Sequence, residues 1–337
     1  MPARQTHSTN SKDTPQSPLE AGFDIISYEL EQVRQCIAAQ LVTEKESVNV
    51  LISHITKAWG KMLRPALVLL SGKACGQLTG DHIEIAAMLE MIHIATLLHD
   101  DVIDEAQSRR KQPTVNLLWG NESAVLLGDF LLGKVFAMAA GLKDRTIAAV
   151  LAETAIEICQ GELIQDLQRG NMQLGEDEYI EIITGKTGAL FKSCCYLGAV
   201  AAGGKSGQIE AMADYGFNTG IAFQITDDLL DVAGDEKAEG KTLGSDVDGC
   251  NLTLPIIHLL SVLPQSEEKQ RICGQISSGH RPAKLIQLLE KSGSCEYAGR
   301  QAQNYCDKAV GAIGLLKDSQ AKAELEKVVT YISNRTL

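Results

Sequence analysis

The sequence predicts an all-α fold, and three observations carry that prediction. No proline occurs between Pro65 and Pro113, or between Pro113 and Pro255; spans without proline permit long helices. The stretch from Ile83 to Ile103 is nearly continuous apolar sequence. A helix that is apolar almost all round belongs at the centre of a large bundle. No segment alternates apolar and polar residues between turn signals, so no strand is expected.

Taken in order, residues 1 to 20 are polar and hold three of the eight prolines, a composition that predicts a disordered tail. Residues 21 to 337 show no shift in composition and are expected to form a single all-helical domain. Breaks between helices are expected at Gly60, from Gly76 to Asp81, from Ser108 to Pro113, from Gly170 to Gly175, at Gly203-Gly204, and from Gly234 to Asn251. The last break is long, polar and glycine-rich. Long loops beside a site commonly serve as lids or binding loops.

Composition narrows the function. The chain is 45% hydrophobic and 22% charged, which suits a globular protein with a large core. A net charge of −12 argues against nucleic-acid binding, which needs clustered Lys and Arg. The nine cysteines are scattered, with no C-x-x-C pair, so no structural zinc site is expected; the usage fits a reducing, cytoplasmic setting. No secretory h-region is present at the N-terminus. Charges interrupt the apolar runs often enough that no transmembrane segment is expected.

The chemistry lies in two aspartate clusters of identical spacing, Asp100-Asp101-Val102-Ile103-Asp104 and Asp227-Asp228-Leu229-Leu230-Asp231. On a helix, residues four apart share a face, with Cβ atoms roughly 5–6 Å apart. Like charges at that spacing repel, and a protein that places them twice on apolar helices needs positive charge from elsewhere. Hard oxygen ligands favour Mg²⁺, which keeps several waters and completes its shell with substrate phosphates. The expected site is therefore a cavity with a carboxylate wall on each side and a metal-bridged diphosphate between them.

Arg109 and Arg110 follow the first cluster, where their planar guanidinium groups suit phosphate oxygens. Taken alone, Lys61 and Arg64 in Gly60-Lys61-Met62-Leu63-Arg64-Pro65 read as solvated surface. So does Lys186 in Gly185-Lys186-Thr187-Gly188, which lacks P-loop spacing. His93, seven residues before Asp100, reads alone as a core histidine.

Together these residues resemble a family. GKMLRP, HDDVIDEAQSRRKQPTVN, GKTGALF, FQITDDLLDVAGD and GKTLGSDVDGCNLTLP occur in the order of the motifs of the trans-polyprenyl diphosphate synthases. That class includes farnesyl, geranylgeranyl and longer-chain (octaprenyl-type) enzymes. The resemblance runs from about residue 25 to the C-terminus. It implies a single-domain bundle of mostly antiparallel helices around a deep central cavity, usually as a homodimer. It also implies that isopentenyl diphosphate condenses with an allylic prenyl diphosphate. Asp100, Asp104 and Asp227 would ligate three Mg²⁺ ions, supported by Asp101, Asp228 and Asp231. Arg109, Lys186, Thr187, Gln224 and Lys241 would contact the allylic diphosphate; Lys61, Arg64, His93 and Arg110 would bind isopentenyl diphosphate.

The chain departs from the family pattern in three places. Met62 stands where the family has Arg, Lys111 replaces a Gly, and Gly249-Cys250-Asn251 replaces Glu-Gly-Lys. In short-chain members bulky residues one turn before the first aspartate close the product tunnel. Here they are Ala95 and Thr96, about 6–8 Å down the helix from Asp100. Their small size predicts a long-chain product, with Phe136, and Met138 beside it, as the deeper floor. The alternatives are a geranylgeranyl or farnesyl diphosphate synthase, a class I terpene cyclase, and a non-catalytic subunit of a heteromeric synthase. A cyclase would carry an Asn/Ser/Glu motif in place of the second aspartate cluster, and such subunits usually lose the aspartates.

Overall fold

A computed structural model describes residues 20–57, 60–110, 112–234 and 244–335. Lys111, Lys241 and all of the expected polar tail except Glu20 lie outside these residues. A 3₁₀ turn, Glu20–Ile26, leads into α1 (Ser27–Leu41), whose buried face is Leu30, Val33, Ile37 and Leu41. That spacing of three and four is the stripe an amphipathic helix presents to a core. Next come α2 (Glu46–Lys57), α3 (Leu63–Cys75) and α4 (Gly80–Ile103). Pro65 sits in the first turn of α3, where a missing N–H costs nothing.

After α4 come α5 (Val115–Trp119), α6 (Asn121–Gly141), α7 (Arg145–Leu167) and α8 (Glu176–Ile183). A π turn, Thr184–Gly188, then joins α8 to α9 (Ala189–Ala201), and α10 (Ser206–Ala233) follows. The C-terminal part holds α11 (Ser245–Asp248), α12 (Leu254–Val262), α13 (Glu267–Ile276) and α14 (Leu285–Lys291). It closes with α15 (Ser294–Ala312) and α16 (Gln320–Ser333).

The expected breaks up to Gly203-Gly204 separate successive helices; the last, Gly234 to Asn251, holds α11 in its described part, residues 244–251. The expectation of no strand is corrected by one antiparallel ladder of two residues per strand, β1 (Ser108–Arg109) with β2 (Gln112–Pro113). Strands this short leave no alternation to read.

Two long helices organise the molecule. α4 has 24 residues and α10 has 28, roughly 36 and 42 Å at 1.5 Å per residue. α3 packs on α4 and α9, and α10 packs on α9 and α15. One apolar cluster joins α1, α3, α4, α6 and α9; a second joins α8, the C-terminal half of α10 and the helices after it.

Contrary to the reading from charge spacing, α6 is long and apolar enough to cross a membrane. In the fold it lays Ala124, Leu127, Leu131 and Val135 inward and packs along α4.

Candidate active site

Both aspartate clusters fall at the C-terminal ends of long helices, Asp100 to Asp104 on α4 and Asp227 to Asp231 on α10. A helix C-terminus already carries partial negative charge, so carboxylates there need cations nearby. A cavity of about 580 Å³ opens between them, with Asp100 on one wall and Asp227 on another.

The other four aspartates do different work. Asp101 is buried and accepts from both Nε and Nη2 of Arg109 at 2.8 Å. Asp104 is exposed beyond the end of α4 and pairs with Arg169 at 3.2 Å. Asp228 is buried and accepts from the Tyr179 hydroxyl at 2.6 Å and Gln224 Nε2 at 2.7 Å. Asp231, expected to support metal binding, holds the start of α11. Its carboxylate accepts from Ser245 Oγ at 3.0 Å and the Asp246 N–H at 3.1 Å. The reason is helical phase: Asp228 and Asp231 lie on the face of α10 turned into the protein.

Burial sets the protonation of these groups. Burial, and then the negative charge of Glu162, push Asp100 up to about 7. Burial lifts Asp228 to about 6, against the opposing hydrogen bonds from Tyr179 and Gln224.

A cationic wall faces the carboxylates. Lys61, Arg64, Arg109 and Arg110 all line the cavity. Arg110 lies directly against Gly60: a Cβ there would sit 2.4 Å from Arg110 Nη2. The bare backbone of Gly60 leaves room for this contact, which brings the Lys61 segment and the paired arginines together. Arg64 stacks on the Phe191 ring at 5.1 Å, and its buried Nε–H has no hydrogen-bond partner. Lys61 Nζ donates to the Tyr331 hydroxyl at 2.5 Å. His93 lines the same wall; burial and then Arg64 and Arg110 hold its imidazole well below its ordinary value, so it is neutral.

On the far side the π turn supplies Lys186 and Thr187. Thr187 Oγ1 donates to Gln224 Oε1 at 2.6 Å, and Gln224 in turn donates to Asp228. This chain of bonds fixes the turn against the second aspartate cluster. Lys186 Nζ pairs with Glu162 at 2.8 Å. Burial opposes its charge, but Glu162 and Asp100 prevail and raise the ammonium above its ordinary value.

The structure therefore gathers Lys61, Arg64, His93, Thr96, Asp100, Arg109, Arg110, Lys186, Thr187, Gln224 and Asp227 around one cavity. It adds residues that sequence reasoning missed. Glu90 and Glu162 are further cavity carboxylates, and Tyr331 and Arg335 come from the C-terminal end of the chain. Arg335 Nη1 pairs with Asp227 at 2.9 Å. Glu90 interrupts the apolar run of α4 and is buried, which was a usable signal; Arg335 has no local signal at all.

The expected product floor is corrected. Thr96 lines the cavity, but Ala95 is fully buried outside its lining. Phe136 is 59% exposed on the outer face of α6. Leu131, Val135 and Ala139 take the inner face, so the next residue along points away. Met62 is 2% exposed with φ of 52° and lines the cavity between Lys61 and Arg64.

The donor set fits Mg²⁺ shared with a phosphate. Among the described residues no group of three or more His, Cys, Asp or Glu forms a ready cage. Instead single carboxylates on opposite walls offer hard oxygen ligands, as Mg²⁺ requires when phosphates complete its shell.

The polyprenyl synthetase family model matches residues 45–290. The short chain isoprenyl diphosphate synthase of Methanothermobacter thermautotrophicus is 34% identical over 288 residues, spanning 84% of this chain and 88% of that one. The octaprenyl diphosphate synthase of Escherichia coli is 33% identical over 304 residues, spanning 89% of this chain and 94% of that one. A solved polyprenyl synthase from Caulobacter crescentus, complexed with calcium and isoprenyl diphosphate, superposes with a TM-score of 0.88. It is 29% identical, and the match covers 96% of this chain and 100% of that one.

Proposed function

The chain belongs to the polyprenyl synthetase family, and from that premise we propose that it condenses isopentenyl diphosphate with an allylic prenyl diphosphate to build a long all-trans chain. The observation that carries this reading is the pairing of Asp100 and Asp227 across a cavity that also gathers the cations Lys61, Arg64, Arg109, Arg110 and Lys186.

Asp100, Asp104 and Asp227 would hold Mg²⁺, three ions per site by the family pattern, and the metal would supply positive charge to the departing diphosphate. Lys186, Thr187 and Gln224 orient the allylic diphosphate, and the family resemblance adds Lys241, which lies outside the described residues. Preorganised cations aimed at the breaking C–O bond stabilise the charge that develops there. Arg109 braces this wall through Asp101. Lys61, Arg64 and Arg110 hold the diphosphate of isopentenyl diphosphate, and neutral His93 adds a hydrogen bond without charge. Leu97, Ile158 and Phe223 line the apolar part of the cavity and keep water from the allylic cation. The new carbon–carbon bond leaves a tertiary cation, and loss of a proton to the released diphosphate completes the step.

The small Thr96 on the cavity wall favours a long product, and the octaprenyl relative supports that choice. A geranylgeranyl or shorter product is the second reading, favoured by the short-chain relative at similar identity. The described chain works as one domain, since residues from Gly60 to Arg335 share the cavity. It pairs as a homodimer through an exposed apolar face, Leu118, Leu126 and Phe136 with Leu163 and Leu167; faces of this kind mark interfaces. Its nine cysteines are all free, which supports a cytoplasmic location.

Purified protein incubated with labelled isopentenyl diphosphate, Mg²⁺ and each allylic primer should give a ladder ending beyond geranylgeranyl length. Chelation should abolish it. No elongation with any primer would overturn the assignment, and a product stopping at geranylgeranyl would establish the second reading.

A further inference from the structure

Glu162 is a cavity carboxylate outside both aspartate clusters. Its two oxygens lie 2.8 and 3.1 Å from Lys186 Nζ, and the side chains are 18% and 22% exposed. The pairing is built by close backbone contact. A Cβ on Gly161 would sit 2.5 Å from the Lys186 nitrogen, and a Cβ on Gly185 would sit 2.7 Å from the Glu157 carbonyl oxygen. Two glycines thus let α7 and the π turn touch, and the residues that follow each glycine are Glu162 and Lys186. Single π turns inside helices often mark functional sites.

In the empty cavity Lys186 is satisfied by Glu162. An incoming diphosphate must take the ammonium away from that carboxylate. Once it does, Glu162 is left without a cation in the same cavity as Asp100, and a half-buried carboxylate left unpaired is costly. A divalent cation arriving with the diphosphate removes the cost.

We propose that Glu162 is a positioning residue that holds Lys186 in the empty site and releases it to the diphosphate, so that diphosphate and metal each strengthen binding of the other. This rests on the reading of Lys186 as a diphosphate ligand. The two ligands are coupled through one ion pair, and coupling between sites is reciprocal.

The test is calorimetric titration of the full chain with inorganic pyrophosphate, with and without Mg²⁺. Glu162→Gln keeps the size of the side chain but frees Lys186. It should bind pyrophosphate about 5–10-fold tighter than wild type without metal, while the enhancement given by Mg²⁺ falls by about the same factor; coupling factors of this size are typical. Glu162→Asp keeps the charge and should retain the wild-type order of affinities. In a Lys186→Met background, Glu162→Gln should no longer change metal-free binding.

Equal or weaker metal-free binding by Glu162→Gln would overturn the proposal, as would a tightening that persists without Lys186, since that would be a general effect of charge. A wild-type chain that binds no pyrophosphate even with Mg²⁺ would instead remove the reading on which the proposal rests.

Discussion

Asp100→Asn should make the empty protein more stable at alkaline pH while removing its activity. Burial first, and Glu162 second, raise the Asp100 carboxyl from 3.8 to about 7. At 1.36 kcal/mol per tenfold, ionising it in the folded state costs about 4 kcal/mol relative to the unfolded chain. Partial solvent access reduces this to about 2–4 kcal/mol. The sign follows from linkage. The folded value lies above the unfolded one, so the contribution to stability is fully present below about 4 and is lost as pH rises through about 7.

Asparagine carries no such penalty. The variant should match wild type near pH 4 and exceed it by about 2–4 kcal/mol at pH 8. With an unfolding entropy of ~2.1 cal/mol/K per residue, that is a rise in Tm of roughly 3–6 °C. Circular-dichroism melts at both pH values, without metal, measure it. Turnover should fall by at least about 100-fold, as expected when a group stabilising the transition state is lost. A Tm difference that does not depend on pH, or a variant less stable than wild type at pH 8, would refute the burial argument.

Five further variants have expected outcomes. Tyr179→Phe removes the hydroxyl that donates to buried Asp228 at 2.6 Å; urea unfolding at pH 7 should show a loss of about 1.5–3 kcal/mol, and an unchanged midpoint would mean that the bond contributes nothing. Met62→Arg restores the family residue but places a charge at a position 2% exposed; stability should fall by about 3 kcal/mol or more, with no gain in KM for isopentenyl diphosphate in steady-state kinetics. Thr96→Phe should shorten the product, read by chromatography after dephosphorylation, whereas Phe136→Ala on the outer face should leave its length unchanged. Ala95→Phe should cost about 1–3 kcal/mol through overpacking, because that position is core.

Local pattern carried a good part of the outcome. Proline spacing and glycine placement located the helix breaks, because those residues act on the backbone within a few positions of themselves. The two aspartate clusters were legible because charge inside an apolar run is costly wherever the run packs. Paired arginines were legible because they directly follow the first cluster, where planar guanidinium groups suit phosphate oxygens. The small ladder at Ser108 to Pro113 was not, since two residues show no period.

By itself, then, the sequence determined an all-helical chain and two acidic clusters on buried helices, while the basic residues beyond the arginine pair were gathered only by the family resemblance. Tertiary structure alone decided which carboxylates face that pocket. Core and cavity walls are both apolar in sequence, so the pattern of α10 alone does not say that its Asp227 side lines the cavity while its Asp231 side packs into the protein and holds the start of α11. The same ambiguity sent Phe136 outward, where an inward floor was expected. Partners far apart in the chain are equally silent: Lys61 meets Tyr331 across 270 positions, and Glu162 meets Lys186 only because two glycines let their backbones touch. Such contacts are set by how the finished helices pack, and no stretch of sequence short enough to read as a pattern contains both ends of them.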